Sequence, residues 1–223
     1  VAKFNMGVPG VALATVIAQG ISAVLCLWKL LRMREVFDLN LRTLKLVPPM
    51  AMRIMKLGIP SGITQAIMAT AGMVVQTLTN TMGETVIACN VIVMRVDGFA
   101  MLPNMTFGQA MSVYTGQNVG AAQFDRVHKG TKQGTIMGLG ISALITGILL
   151  VFGRYLFAIF TDTQELIELA VQMMRVLAVG YICVSVSQVL GGVMRGAGDT
   201  MTPMWISIIS TIVLRIPTAS IMA

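Results

Sequence analysis

The chain has 223 residues, 56% of them hydrophobic and 11% charged, with a mean hydropathy of +0.81. An ordinary soluble domain carries roughly 25% charged residues, so the composition excludes one and indicates a membrane protein. The formal net charge of +7 does not call for nucleic acid as a partner, because the basic residues gather in short loops between apolar runs, where topology signals belong.

Six segments approach the roughly 20 apolar residues that a membrane span requires. In chain order they are Gly7–Leu31, Leu57–Met82, Thr85–Tyr114, Gly134–Phe160, Leu166–Val193 and Met201–Ala223. The third and fifth exceed the thickness of a bilayer, and tilt, a kink or an end protruding into water would absorb the excess. The expected fold is therefore all-α, a polytopic transmembrane helix bundle. Val1 and Ala223 both fall in mid-pattern, so the sequence reads as part of a longer chain whose remaining helices are its first partners, with the lipid bilayer.

Arg32 to Lys56 is the longest interruption and holds Pro48 and Pro49. It reads as a linker, 32–56, between a leading helix at 1–31 and a second group at 57–223. Sorting lysines and arginines by loop gives the orientation. Lys29, Arg32, Arg34, Arg42, Lys45, Arg53 and Lys56 flank the first loop, Arg126, Lys129 and Lys132 the third, and Arg195 the fifth; Lys3 and Arg154 lie opposite, among Glu84, Asp162, Glu165 and Glu168. The richer side, linker included, is expected in the cytoplasm. Arg95, Arg175 and Arg215 fall within proposed spans.

Cys26, Cys89 and Cys183 stand singly and His128 is the lone histidine, while methionine occurs 19 times. No metal-ligand spacing can be assembled from these residues, and no cofactor is expected. The methionines suit either adaptable packing or a pliable surface for varied apolar ligands.

Polar residues inside the spans form stripes. Gln65, Ala69, Gly72, Gln76 and Asn80 share one face of the second span, and Tyr181, Ser185, Gln188 and Gly192 one face of the fifth. Each stripe is either hydrogen-bonded glue between helices or the lining of a polar cavity. Gly134, Gly138, Ser142 and Thr146 of the fourth span read as packing. Asp97 is the sole intramembrane carboxylate. It lies about 20 Å from the outer end of its helix, counted from Glu84 at about 1.5 Å per residue, and its burial costs about 3 kcal/mol on the lenient insertion scale. It demands a cationic partner such as Arg175 or Arg215, a proton, or a wet cavity. Gly98 and Pro103 suggest a broken or kinked helix beside it.

Three segments in register, GVPGVALATVIAQ at 7–19, GQNVGAAQFDRV at 116–127 and RGAGDTMTPMW at 195–205, resemble the multidrug and toxic compound extrusion (MATE) transporters. The resemblance implies a parent of twelve helices in two six-helix lobes, with this chain supplying helix six and helices seven to eleven. It implies a secondary exporter in the plasma membrane, not an enzyme, exchanging organic cations or amphipathic drugs for sodium ions or protons by alternating access. Asp97, Gln65, Gln76, Asn80, Gln188 and Tyr181 are then the candidate substrate- and ion-binding residues. The carboxylates that matter on helices seven and ten in one branch of the family have no counterpart here. The alternative is a related flippase for lipid-linked saccharides, which calls for a cationic cavity.

The matched motifs also have local readings. Gln117 and Asn118 sit where helix carbonyls need partners, with Gly116 and Gly120 permitting a turn. In Arg195, Gly196, Gly198 and Asp199 the pattern is a tight turn, with Asp199 or Thr200 capping the next helix and Pro203 in its first turn. Neither motif matches a P-loop, so ATP use is not supported.

Overall fold

The computed structural model describes residues 7–32, 47–215 and 217–218. Six helices follow one another: α1 (Gly7–Arg32), α2 (Pro48–Asn80), α3 (Glu84–Gly120), α4 (Phe124–Ala158), α5 (Gln164–Gly196) and α6 (Met201–Ile208), the last continued by a π-helical segment at Ile209–Arg215. Helices α1 to α5 are long and apolar enough to cross a membrane, whereas Met201–Arg215 is a shorter apolar helix. An all-helical construction is what the bilayer permits, because a helix satisfies its backbone groups internally.

Two helices extend beyond the expected spans. Residues 48–56, read as linker, open α2, and Arg126, Lys129 and Lys132, read as loop, lie in the first turns of α4. Polarity marked these stretches as leaving the bilayer, but helix propensity does not end at a membrane surface. Helix α3 also runs without a break through Gly98 and Pro103, so of the two expected forms, broken or kinked, the broken one is not adopted. In hydrocarbon the freed backbone groups of a broken helix would find no water, which favours keeping the remaining bonds. The other linker residues, 33–46, lie outside the described residues.

The chain divides into two compact units, Val1–Met52 and Arg53–Ala223. In the first, α1 is apolar on every side, as a membrane helix is, with Val16, Ile21, Val24 and Trp28 all exposed. It closes with Lys29 and Arg32 in its last turn, where cations complement the helix dipole. The Arg32 guanidinium lies 5.6 Å above the Trp28 ring.

The core of the second unit is the bundle of α3, α4 and α5. Chain reversals at 121–123 and 159–163 make α4 antiparallel to the other two, so α3 and α5 run parallel. They touch main chain to main chain. A Cβ added at Gly108 would stand 2.8 Å from the carbonyl oxygen of Gln188, and one at Gly192 would overlap the Gly108 carbonyl. Gly196 presses in the same way on Ser112, Thr115 and Gly116. Small residues permit such contact, and in lipid this close packing supplies much of the association energy that water supplies elsewhere. The small-residue ladder of α4 is buried as expected, extended at both ends to Gly130 and Phe157. Gly130 fits against the Tyr114 ring, Gly134 against Met111, and Gly138 against Val189 and Ser185.

Both sequence motifs form helix-ending turns of one kind. After α5, Asp199 N–H donates to the Met194 carbonyl at 3.0 Å and Gly198 N–H to that of Arg195 at 3.1 Å, with Gly198 at φ 90°. After α3, Gln123 N–H donates to Asn118 O at 2.8 Å and Ala122 N–H to Val119 O at 3.0 Å, and the residue at positive φ, 56°, is Ala122. Each is a Schellman turn. The expectation that Gly116 and Gly120 permit the first turn is corrected: both are helical, and Gly116 instead admits the close approach of Gly196. Asn118 does supply a partner to a helix carbonyl, donating to Tyr114 O at 2.8 Å. Asp199 is the residue that caps α6, its carboxylate accepting from Thr202 N–H at 3.0 Å, and Pro203 stands in the first turn.

Candidate functional site at Asp97 and Tyr181

Helix α3 buries Val93, Val96, Ala100, Asn104, Gly108 and Met111 along one face. Asp97 sits at the margin of that face, half-buried. Across the contact lies Tyr181 of α5, 2% exposed, whose hydroxyl stands beside the Asp97 carboxylate yet closes no hydrogen bond in this geometry. A buried phenol without a partner is costly, by about 1–3 kcal/mol, and here it is aimed at the one acid of the membrane interior.

The main chain of Tyr181 is held from two sides. Its carbonyl accepts from Asn104 Nδ2 of α3 at 3.4 Å and from Ser142 Oγ of α4 at 3.1 Å. Asn104 and Ser142 are each 2% exposed, so both bonds are formed away from solvent. One carbonyl thus gathers three helices at the depth of the carboxylate.

A second polar group lies nearer the helix ends that carry Asn80 and Glu84. Gln76 Nε2 donates to Asn80 Oδ1 at 3.0 Å, and Asn90 Nδ2 of α3 donates to Gln76 Oε1 at 3.3 Å. Asn90, Asp97 and Asn104 recur every seven residues and so lie along one face of α3. At about 1.5 Å per residue they step inward by about 10 Å each. Asn90 and Asn104 were not among the expected site residues, although their spacing from Asp97 was readable in the sequence.

Of the expected residues, the structure therefore brings Asp97 to Tyr181 and Gln76 to Asn80. Gln65 is exposed on α2. Gln188 is half-buried and engages Gly108 through its backbone. Neither forms a side-chain hydrogen bond with Asp97 among the described residues. The stripe on α5 is for the most part a dry contact, since Ser185 and Gly192 are buried against α4 and α3.

Among the described residues no arginine pairs with Asp97. Arg175 borders a small recess between α4 and α5 with Leu149, Gly153, Phe157 and Met174. Arg95 is exposed on α3 and Arg215 closes the π-helical segment. The carboxylate is left facing a neutral hydroxyl, an arrangement able to exchange a proton or small cation without first breaking an ion pair.

A bundle of apolar helices long enough to cross a membrane, holding at mid-depth a carboxylate without a basic partner among the described residues, is the build of a polytopic membrane protein. The particular class is given by comparison with known proteins: the family model MatE matches residues 60–221, and the chain belongs to that family of transporters. It is 29% identical over 217 residues to the probable multidrug resistance protein YpnP of Bacillus subtilis, covering 97% of this chain and 48% of that protein. It is 26% identical over 221 residues to the probable multidrug resistance protein NorM of Thermotoga maritima, covering 98% and 47%. The chain thus spans about half the length of the curated relatives it matches. A crystal structure of MATE in complex with MaL6 matches over 96% of this chain and 48% of that one with a TM-score of 0.87 at 18% identity. A MATE in the bent conformation matches over 96% and 47%, with a TM-score of 0.83 at 18% identity.

Proposed function

We propose that the full-length protein is a secondary multidrug exporter of the plasma membrane, expelling organic cations or amphipathic drugs by alternating access in exchange for sodium ions or protons. Asp97 carries the coupling ion and Tyr181 completes its site. The observation that carries this reading is the half-buried carboxylate with no basic partner among the described residues, facing a buried hydroxyl that closes no hydrogen bond there. The printed names of the relatives, probable multidrug resistance proteins, support the export of drugs. In a low-dielectric site a bound organic cation and a proton or sodium ion compete for one carboxylate, and that competition couples release of one to entry of the other. The positive-inside rule places the linker, the start of α4 and the end of α5 in the cytoplasm.

The rival flippase reading calls for converging cations. Arg95 lies on α3, Arg175 on α5 and Arg215 at the end of the π-helical segment, and the names of the relatives, probable multidrug resistance proteins, favour drug export over that reading.

The test is efflux of a fluorescent organic cation from vesicles holding the full-length protein or its Asp97→Asn variant, normalised for inserted protein, under an imposed sodium or proton gradient. Loss of gradient-driven export in a variant that inserts normally is the expected result, and the gradient that drives wild-type export names the ion. Undiminished export by Asp97→Asn would overturn the assignment.

A further inference from the structure

The face of α4 turned away from α3 and α5 has a definite composition along its whole length. Lys129 and Lys132 begin it, Ile136, Gly140, Leu144, Gly147 and Val151 continue it at helical spacing, and Arg154 and Tyr155 end it. All are exposed, Tyr155 at 72% and Val151 at 70%, and a Cβ at Gly140 or Gly147 would meet nothing within 4 Å. From Lys132 to Tyr155 the helix rises about 35 Å at 1.5 Å per residue, a little more than the roughly 30 Å of a hydrocarbon core. The lysines thus reach one headgroup layer as the tyrosine ring reaches the other, where each residue type is at home.

We infer that this face binds an anionic phospholipid, its phosphate held by Lys129 and Lys132 and its acyl chains lying along Ile136, Gly140 and Leu144. The charge is complementary, because Lys129, Lys132 and the neighbouring Arg126 are all exposed in the opening turns of α4. Behind it the start of α4 is fixed in place, because Gly130 seats on the Tyr114 ring and the Tyr114 hydroxyl donates to the Arg126 carbonyl at 3.1 Å. The two ammonium groups are therefore presented from a braced helix instead of a loose loop, which lowers the entropy lost on binding. Asp125, exposed one turn before Lys129, sets a limit of specificity: it repels a second phosphate beyond the lysines and favours a headgroup carrying one.

The experiment is native mass spectrometry of the full-length protein released from vesicles of equal parts phosphatidylcholine and phosphatidylglycerol, compared with K129Q/K132Q, K129R/K132R and Gly140→Leu. The expected result is retained phosphatidylglycerol in the wild type and the arginine variant, with the preference over phosphatidylcholine reduced about tenfold in the glutamine variant. Gly140→Leu is expected to insert normally and to retain less lipid. An unchanged preference in K129Q/K132Q would overturn the assignment. So would release of the lipid by millimolar inorganic phosphate, which would mark a free-anion site, and so would failure of Gly140→Leu to insert, which would mark a face covered by another helix.

Discussion

The hydroxyl of Tyr181 and the carboxylate of Asp97 stand together across the α3–α5 contact, each without another side-chain partner among the described residues. Tyr181→Phe removes an unsatisfied buried oxygen and keeps the ring. The variant is expected to match or slightly exceed wild-type thermal stability while shifting the pH or sodium dependence of export by the full-length protein. A stability loss above about 1 kcal/mol would show instead that the hydroxyl is bonded in the native bundle.

Main-chain contact between α3 and α5 predicts sharp intolerance at Gly192. A methyl group there overlaps the Gly108 carbonyl and forces the helices apart, at a cost of about 1–3 kcal/mol. Gly180, on the same helix with open space around it, is the control: Gly180→Ala should be neutral or mildly stabilising, by up to about 1 kcal/mol. Thermal unfolding of the detergent-solubilised protein measures both. Equal effects at the two sites would contradict the close approach.

The two Schellman turns predict opposite responses to exchange between glycine and alanine. Ala122 has φ 56° and Gly198 φ 90°, a region that costs an L-residue about 1–2 kcal/mol. Ala122→Gly should therefore stabilise by about 1 kcal/mol and Gly198→Ala should destabilise by a similar amount. Denaturation midpoints of the two variants decide it.

Asp199 gives a prediction in pH. Hydrogen bonding from Thr202, first from its side chain and then from its backbone N–H, holds the Asp199 carboxyl below its ordinary value of 3.8. A lowered folded pKa stabilises the fold above the unfolded pKa, and that contribution fades as pH falls through the folded one. The cap of α6 should accordingly be intact from neutral pH down to about 4 and weaken below it. Asp199→Asn keeps an acceptor for Thr202 N–H and should flatten the acid limb of the stability profile, whereas Asp199→Ala should lower stability across the whole range.

Much of this architecture was written in residue spacing. The ladder Gly134, Gly138, Ser142 and Thr146 declared its buried face because small residues at every fourth position let a neighbouring helix approach closely in lipid. Asp97 stood out because a lone carboxylate among apolar residues needs a reason. The Gln76–Asn80 pair was legible as one helix face, but its continuation to Asn90 was not, since a hydrogen bond between helices depends on which helices neighbour one another. The stripe from Tyr181 to Gly192 showed the opposite weakness. Its periodicity fixed a face, yet only the packing of Gly108 onto Gly192 distinguishes a dry seam from a wet lining. Ala122 carried no signal at all, because the residue at the left-handed position of that turn is not the glycine that propensity favours.

The carbonyl of Tyr181, shared by Asn104 and Ser142, gives this residue two mechanically distinct halves. Its backbone is clamped to helices on both sides, while its ring ends in a free hydroxyl. If, as proposed, the charge at Asp97 changes during transport, the ring torsions of Tyr181 and the position of α3 are the freedoms left to adjust. Asn104 lies two turns further along α3 on the same face as Asp97, so a shift of that helix reaches the clamp as well. On the proposed reading of Asp97 as the ion carrier, Tyr181 is the residue at which neutralising that carboxylate would be felt by α3, α4 and α5 together.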